Sequence, residues 1–216
     1  MPDFISLKDY VYDYISEEIG KGNLKKDEKI NENSIIGTLG ISRTPVREAL
    51  IQLAAEGIID SIPRKGFVIR GLTAQEALDI YKILGVLEGQ AAHAACGNLT
   101  KKDFSEMTFY IESMDLAIRA ENYDVYHQFQ TKFHDIYLAA GKNETARQII
   151  RQLKRKFLNH SYIPPENISK MDAVLETNEE HRVMFDLFQK EDAEGVENYV
   201  RTIHWDPVKA QMESLV

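Results

Sequence analysis

The stretch GISRTPVREAL, residues 40–50, constrains the fold of this chain more than any other. Pro45 is typical of the first turn of a helix, where its missing N–H needs no partner. Ser42 or Thr44 can cap that turn through a side-chain oxygen. The stretch therefore predicts the start of a helix that follows directly on a turn.

Two more helices are predicted before it. SLKDYVYDYISEEIGKG opens with Ser6 and has Asp9 three residues later, and its apolar residues recur at helical spacing. NENSIIGTLG is a second, short helix that Gly40 ends. A short helix, a turn that contains glycine and another helix form the helix-turn-helix arrangement.

A small β-structure is predicted after Gly57. IIDSI and FVIR are β-type runs, and PRKG lies between them with Pro63 and Gly66 to turn the chain. The pattern indicates a two-stranded wing with Arg64 and Lys65 at its tip.

The third helix leaves Arg43, Thr44 and Arg47 exposed near its N-terminal end, where a recognition helix meets base edges in the major groove. Arginine reads guanine bidentately and also binds phosphates. The formal net charge is −8, yet residues 20–70 carry +3 and the rest −11. This asymmetry favours a DNA-binding front part over the alternative, a solvated face with ordinary ion pairs.

SRTPVREAL, LAAEGII and PRKGFVIR together resemble the winged helix-turn-helix of GntR-type bacterial transcription regulators. The resemblance implies a DNA-binding domain over residues 1–70. Asn33 stands where many relatives have an arginine, and it can bond a phosphate or an adenine edge. The predicted DNA-binding residues are Asn33, Arg43, Thr44, Arg47, Arg64, Lys65 and Gly66.

Residues 71–216 have helical patterns and almost no strand signal, which predicts an all-helical bundle with its own core. The chain is thus expected to be mainly α, with a small β-wing near its front. Pro207 is expected to kink or shorten the last helix. The predicted helices span 74–96, 101–120, 123–140, 143–161, 167–190 and 192–214.

Three histidines lie on separate predicted helices beside apolar positions: His134, His181 and His204. Imidazoles from different helices can converge on one divalent metal inside a bundle. A histidine beside an apolar stripe is more often a hydrogen-bonded core residue. Spacing alone leaves both interpretations open.

FHDIYLAAGKN, EEHRVMFDLF and the late histidine resemble the FCD domain, the helical effector domain of the FadR subfamily of GntR regulators. The resemblance implies zinc or a similar first-row metal on His134, His181 and His204, with open positions for a small carboxylic acid effector. Gln130 replaces the usual aspartate, so it is expected to be a weak fourth ligand. His127, a turn earlier, is expected to line the effector pocket.

Leu84 also departs from that pattern, because many relatives have an arginine there that clamps a ligand carboxylate. A metal-sensing regulator without an organic effector is therefore kept as an alternative. A metal-binding, hydrolase-like enzyme is another, although the chain has neither an HExxH nor a GxSxG motif. We expect a ligand-responsive repressor, a homodimer on a double-stranded DNA operator. One cysteine and no apolar run near 18 residues favour a cytoplasmic protein without a membrane partner.

Overall fold

The computed structural model describes residues 6–157 and 169–212. Of these, 6–73 with 154–157 form one compact unit, and 74–153 with 169–212 form the other. The first combines helices with a two-stranded sheet, and the described part of the second is helical. The predicted fold class is confirmed.

The first unit is a helix-turn-helix followed by a hairpin. Ser6 caps α1 by accepting from the Asp9 N–H at 3.1 Å. Gly40 ends α2 with φ +65°, a left-handed backbone that favours glycine. The apolar core of the first unit includes Ile15, Leu50 and Leu53, all fully buried. The elements are α1 (Leu7–Gly20), α2 (Glu32–Leu39), α3 (Arg43–Ala55), β1 (Ile59–Ile62) and β2 (Gly66–Ile69).

The side-chain cap predicted for α3 is absent. Ser42 occupies the N-cap position with extended backbone, but its side chain makes no capping hydrogen bond, and Thr44 lies inside the helix. A capping oxygen accepts from the second or third helical N–H. The third residue is Pro45, which has no N–H, so the sequence itself removes one of the two possible donors.

The wing is an antiparallel pair in which Ile59 lies opposite Ile69, and Ile62 lies opposite Gly66. Residues 63–65 connect the two strands. Arg64 and Gly66 have φ values of +66° and +90°. The backbone is therefore left-handed on both sides of Lys65, which only Gly66 adopts without strain.

Residues 154–157 belong to the first unit. The Arg155 guanidinium lies 5.2 Å from the centre of the Tyr12 ring and 3.7 Å from Glu56 Oε1, and Phe157 is buried. The helix predicted for 143–161 is too long, because the helix that begins at Glu144 ends at Lys154. Its predicted end, the predicted break at 161–167 and the predicted last residues 213–214 lie outside the described residues.

The second unit is a helical bundle. Three of its helices agree with the predictions for 74–96, 101–120 and 123–140. Its core includes Tyr126, Phe133, Tyr137 and Phe188, each at most 1% exposed. The helices are α4 (Ala74–Ala95), α5 (Lys101–Arg119), α6 (Tyr123–Ala140), α7 (Glu144–Lys154), α8 (Lys170–Gln189) and α9 (Ala193–Tyr199).

The last predicted helix, 192–214, is wrong as a single element. After α9 the chain forms a π-helical turn, Val200–His204, and then a 3-10 helix, Pro207–Met212. The π-turn leaves three consecutive residues exposed between buried Val200 and buried His204. Pro207 begins the 3-10 helix, but the α-helix has already ended eight positions earlier.

Two glycines of α4 let this last segment pack closely. A Cβ added to Gly85 would lie 3.0 Å from the Arg201 carbonyl oxygen, and one added to Gly89 would lie 3.0 Å from the Glu197 carbonyl oxygen. The obstacle is backbone in both cases, so a larger residue would have to push it away by a few tenths of an ångström. The approach holds the turn that carries His204.

None of the helices in 6–157 and 169–212 is long and apolar enough to cross a membrane.

The close contact between Gly89 and the Glu197 backbone predicts that a larger residue at position 89 destabilises the fold, whereas the same change at Gly37 does not. Gly89→Ala is expected to lower the free energy of unfolding by about 1–3 kcal/mol, because the methyl group displaces the Glu197 backbone. Gly37→Ala in α2 meets nothing within 4 Å and is expected to be neutral or stabilising by up to about 1 kcal/mol. Urea unfolding of both variants tests this; a Gly89→Ala protein as stable as wild type contradicts it.

Candidate nucleic-acid interface and candidate metal centre

The first turns of α3 present a polar, cationic surface. Arg43, Thr44 and Arg47 are exposed, whereas Pro45 and Val46 between them are buried. Burial of this opposite side by the first unit's core fixes which way the helix faces. The structure thus brings together the three α3 side chains that the sequence singled out.

Both arginines also contact the first turn of α2. Arg43 Nη2 donates to Asn33 Oδ1 at 2.9 Å. Arg47 Nε lies 4.0 Å from Glu32 Oε2, at the limit of an ion pair. Asn33 is therefore close to the recognition surface, but its carbonyl oxygen faces an arginine.

The other predicted contacts lie in the hairpin. Arg64 and Lys65 are exposed at its turn, and Gly66 is the first residue of β2. Exposed arginine and lysine side chains are ordinarily cations at neutral pH. The wing therefore carries two positive charges on three loop residues.

Three imidazoles converge inside the bundle. His134 comes from α6, His181 from α8 and His204 from the end of the π-turn, and all are buried. His134 Nε2 lies 3.2 Å from the Nε2 atoms of both other histidines. The potential ligand atoms of all three lie within 4.8 Å of one another.

Two buried carboxylates hold the outer sides of these rings. Glu88 Oε2 lies 2.8 Å from His134 Nδ1, and Glu180 Oε2 lies 2.9 Å from His204 Nδ1. Lys209 Nζ donates to the other oxygen of Glu180. This carboxylate–histidine arrangement is common around protein-bound metals, where the outer partner fixes the ring and its tautomer.

Those contacts assign the protons of two rings. An ionised carboxylate only accepts, so Nδ1 of His134 and of His204 each carry the proton and donate it. Both Nε2 atoms then have lone pairs, and they face each other across 3.2 Å. Two lone pairs at that distance repel, and a shared cation or an added proton removes the repulsion.

The spacing also suits a metal ion. Two imidazole nitrogens at ~2.1 Å from one zinc ion are ~3.4 Å apart at a tetrahedral angle and ~3.0 Å apart at a right angle. The two observed separations of 3.2 Å lie between these values. Imidazole is a good ligand for zinc, copper, nickel and iron. The two separations from His134 Nε2 therefore suit a first-row divalent metal.

Gln130 lies one helical turn before His134 and is half-buried. Its carbonyl oxygen is 3.3 Å from His127 Nδ1, so the predicted weak metal ligand contacts the predicted pocket residue. An amide brings no charge, so Gln130 stabilises a cation less than a carboxylate would.

Sequence reasoning missed the groups that support the histidines. Glu88, Glu180 and Tyr137 are buried, and Tyr137 donates its hydroxyl to Glu88. Burial, and then the charge of Glu88, raises the pKa of Tyr137 well above 10.0, so the hydroxyl keeps its proton. One signal was available: Glu88 is an isolated charge in the apolar run ILGVLEGQAA, and such a charge must find a buried partner.

Two protein-family models match this chain. A family model described as "Bacterial regulatory proteins, gntR family" matches residues 7–69, and the FCD domain model matches residues 79–204. The second match covers more than half of the chain. These families consist of transcriptional regulators, and the enzyme alternative is set aside.

Individual relatives are distant but extend over most of the chain. The HTH-type transcriptional regulator YdhC of Bacillus subtilis (strain 168) is 25% identical, over 88% of this chain and 84% of its own length. The HTH-type transcriptional repressor RspR of Escherichia coli (strain K12) is 23% identical, over 78% and 72%. The solved structure of E. coli McbR/YncC has a TM-score of 0.80 at 22% identity, over 95% of this chain and 96% of that one, which shows a shared fold.

Proposed function

Because the chain belongs to the gntR family of bacterial regulatory proteins and carries an FCD domain, we propose that it represses transcription under control of its helical unit. Its class, a DNA-binding transcriptional regulator, follows from the family. The proposal adds the DNA contacts, a homodimer, a metal on the three histidines and a small organic acid as effector. The proposal of a metal rests on the convergence of three imidazoles, two of which are oriented by buried carboxylates.

The DNA-binding surface is formed by Arg43, Thr44 and Arg47, with Arg64 and Lys65 from the wing. The exposed α3 residues stand at the end of the helix that enters the major groove in this class of domain. A basic hairpin turn can reach the neighbouring backbone or minor groove. One such module contacts few base pairs, so we propose a homodimer that reads two half-sites related by two-fold symmetry.

Arg47→Ala is expected to weaken binding to the preferred duplex by about 1–3 kcal/mol and to relax selectivity at one position of each half-site. Arg119→Ala removes an exposed arginine from the end of α5 and is the matched control, with wild-type affinity expected. The duplex is first selected by wild-type protein from a random-core library, and affinity is measured at fixed salt. Equal affinity of Arg47→Ala and wild type, or a footprint over a single half-site by a monomer, contradicts the assignment.

Regulation is assigned to the buried histidine cluster. His134, His181 and His204 would hold the metal through Nε2, and Glu88 and Glu180 would keep two of the rings in the required tautomer. A bound divalent ion supplies a positive charge with open positions for an oxygen ligand. Gln130 is proposed as a weak fourth ligand, and His127 as a residue of the effector pocket.

Metal binding predicts a stability change on chelation. The loaded protein is expected to melt higher than the chelated protein, since a ligand selective for the folded state stabilises it by mass action. His181→Ala abolishes the difference, and Glu88→Gln lowers metal affinity about 10- to 100-fold. Gln130→Asp raises the affinity because it adds an anionic ligand.

Elemental analysis and melting curves test these changes. His93→Ala is the control, because His93 pairs with Glu197 instead of joining the cluster. A wild-type protein that takes up no divalent metal, with a melting temperature that chelator does not alter, makes the three histidines core residues.

The charges around the cluster favour an acid only when a cation is present. Glu88 and Glu180 against Lys209 leave one excess negative charge among these buried and half-buried groups. Small carboxylates such as citrate are thus expected to raise the melting temperature of the metal-loaded protein and not of the chelated protein. A carboxylate that stabilises both forms equally contradicts this arrangement.

Leu84 supports one other function, metal sensing without an organic effector. The side chain is fully buried and aliphatic, so it offers no charge to a carboxylate at the position where the resemblance places an arginine. DNA binding that responds to metal and to none of the acids tested favours this second candidate.

A further inference from the structure

We propose that Asn33 is a positioning residue for base recognition, acting through Arg43 instead of contacting DNA on its own account. This inference rests on the proposed DNA-binding surface and assigns one residue its role there. It starts from the hydrogen bond between Arg43 Nη2 and Asn33 Oδ1, 2.9 Å long, which joins residues ten positions apart on two different helices.

The fixed position of Asn33 makes it suitable for this role. It is the second residue of α2, and its own N–H donates to Oδ1 of Asn31, the cap of that helix. The backbone that carries the Asn33 amide is therefore held at a helix start. Arg43 is the first residue of α3, where several side-chain torsions would otherwise leave the guanidinium free to rotate.

The chemistry of the pair preserves the charge of Arg43. A neutral amide oxygen fixes the direction of one N–H without neutralising the guanidinium, which keeps four further N–H donors for guanine O6 and N7. Arg47 differs, because its neighbour is the Glu32 carboxylate at 4.0 Å, too far for a hydrogen bond. Arg43 is thus the better oriented of the two arginines.

The effect should appear in recognition and not in folding. Asn33 and Arg43 are both exposed, so water competes for their hydrogen bond in the free protein. When DNA covers the surface, water is excluded and the same bond strengthens. An arginine at this position, as in the resemblance, would instead add a cation and leave Arg43 without its acceptor.

Each variant of the full-length protein is measured on the duplex that wild type selects from a random-core library and on all its single base-pair substitutions, over a range of KCl. Arg43→Ala identifies the base pair that Arg43 reads. Asn33→Ala is expected to reduce the preference at that same base pair about tenfold, with unchanged salt dependence and an unchanged melting temperature. In the Arg43→Ala background, Asn33→Ala is expected to have no further effect.

Two more substitutions separate orientation from charge. Asn33→Asp keeps an acceptor oxygen, so it retains the base preference while total affinity falls through repulsion by phosphates. Asn33→Arg gains a phosphate contact, so the slope of log affinity against log salt steepens by about 1 while the base preference decreases.

Three results overturn the inference: a shallower salt dependence of Asn33→Ala with its preferences intact, a lost preference at an adenine that Arg43 does not read, or additive losses in the double variant. The first would make Asn33 a phosphate contact and the second a direct base reader. In each of these cases the DNA-binding assignment stands. If wild type selects no duplex at all, the proposed function fails and the inference fails with it.

Discussion

The buried carboxylate of Glu88 is the constraint on which the bundle's interior depends. A charge in an apolar core is costly unless hydrogen bonds satisfy it, and here the donors are His134 and Tyr137 from α6. Those bonds fix α4 against α6 and orient the imidazole toward the other two histidines. A single buried anion therefore links helix packing to the geometry of the site.

The position of His204 depends on close backbone packing. Gly85 and Gly89 allow the segment around Glu197 and Arg201 to approach α4, and the π-turn then directs His204 inward. Wider turns of this kind often occur at functional sites, where they redirect one side chain at the expense of regular hydrogen bonding. Shape and charge at neighbouring positions of α4 thus act on the same cluster.

The two units use polar groups in opposite ways. In the first unit the basic side chains of α3 and the wing are exposed to water. In the second unit the histidines and their carboxylate partners are buried, where a low dielectric magnifies both attraction and repulsion. The proposed function uses both: an exposed surface for DNA and an interior that would respond to a small ligand.

The sequence alone predicted the helix-turn-helix, the wing and most of the helices, because local periodicity, glycine turns and proline positions encode them. It also singled out the three histidines as residues that lie beside apolar positions on separate helices. It did not give the missing cap of α3, the end of α7 at Lys154 or the break of the last helix at Val200. Nor did it identify Glu88, Glu180 and Lys209 as partners of the histidines. The partners of the histidines depend on contacts between residues far apart in the chain, such as Glu88 with His134 across 46 positions. Only tertiary packing brings such groups together, and burial then decides which hydrogen bonds must form.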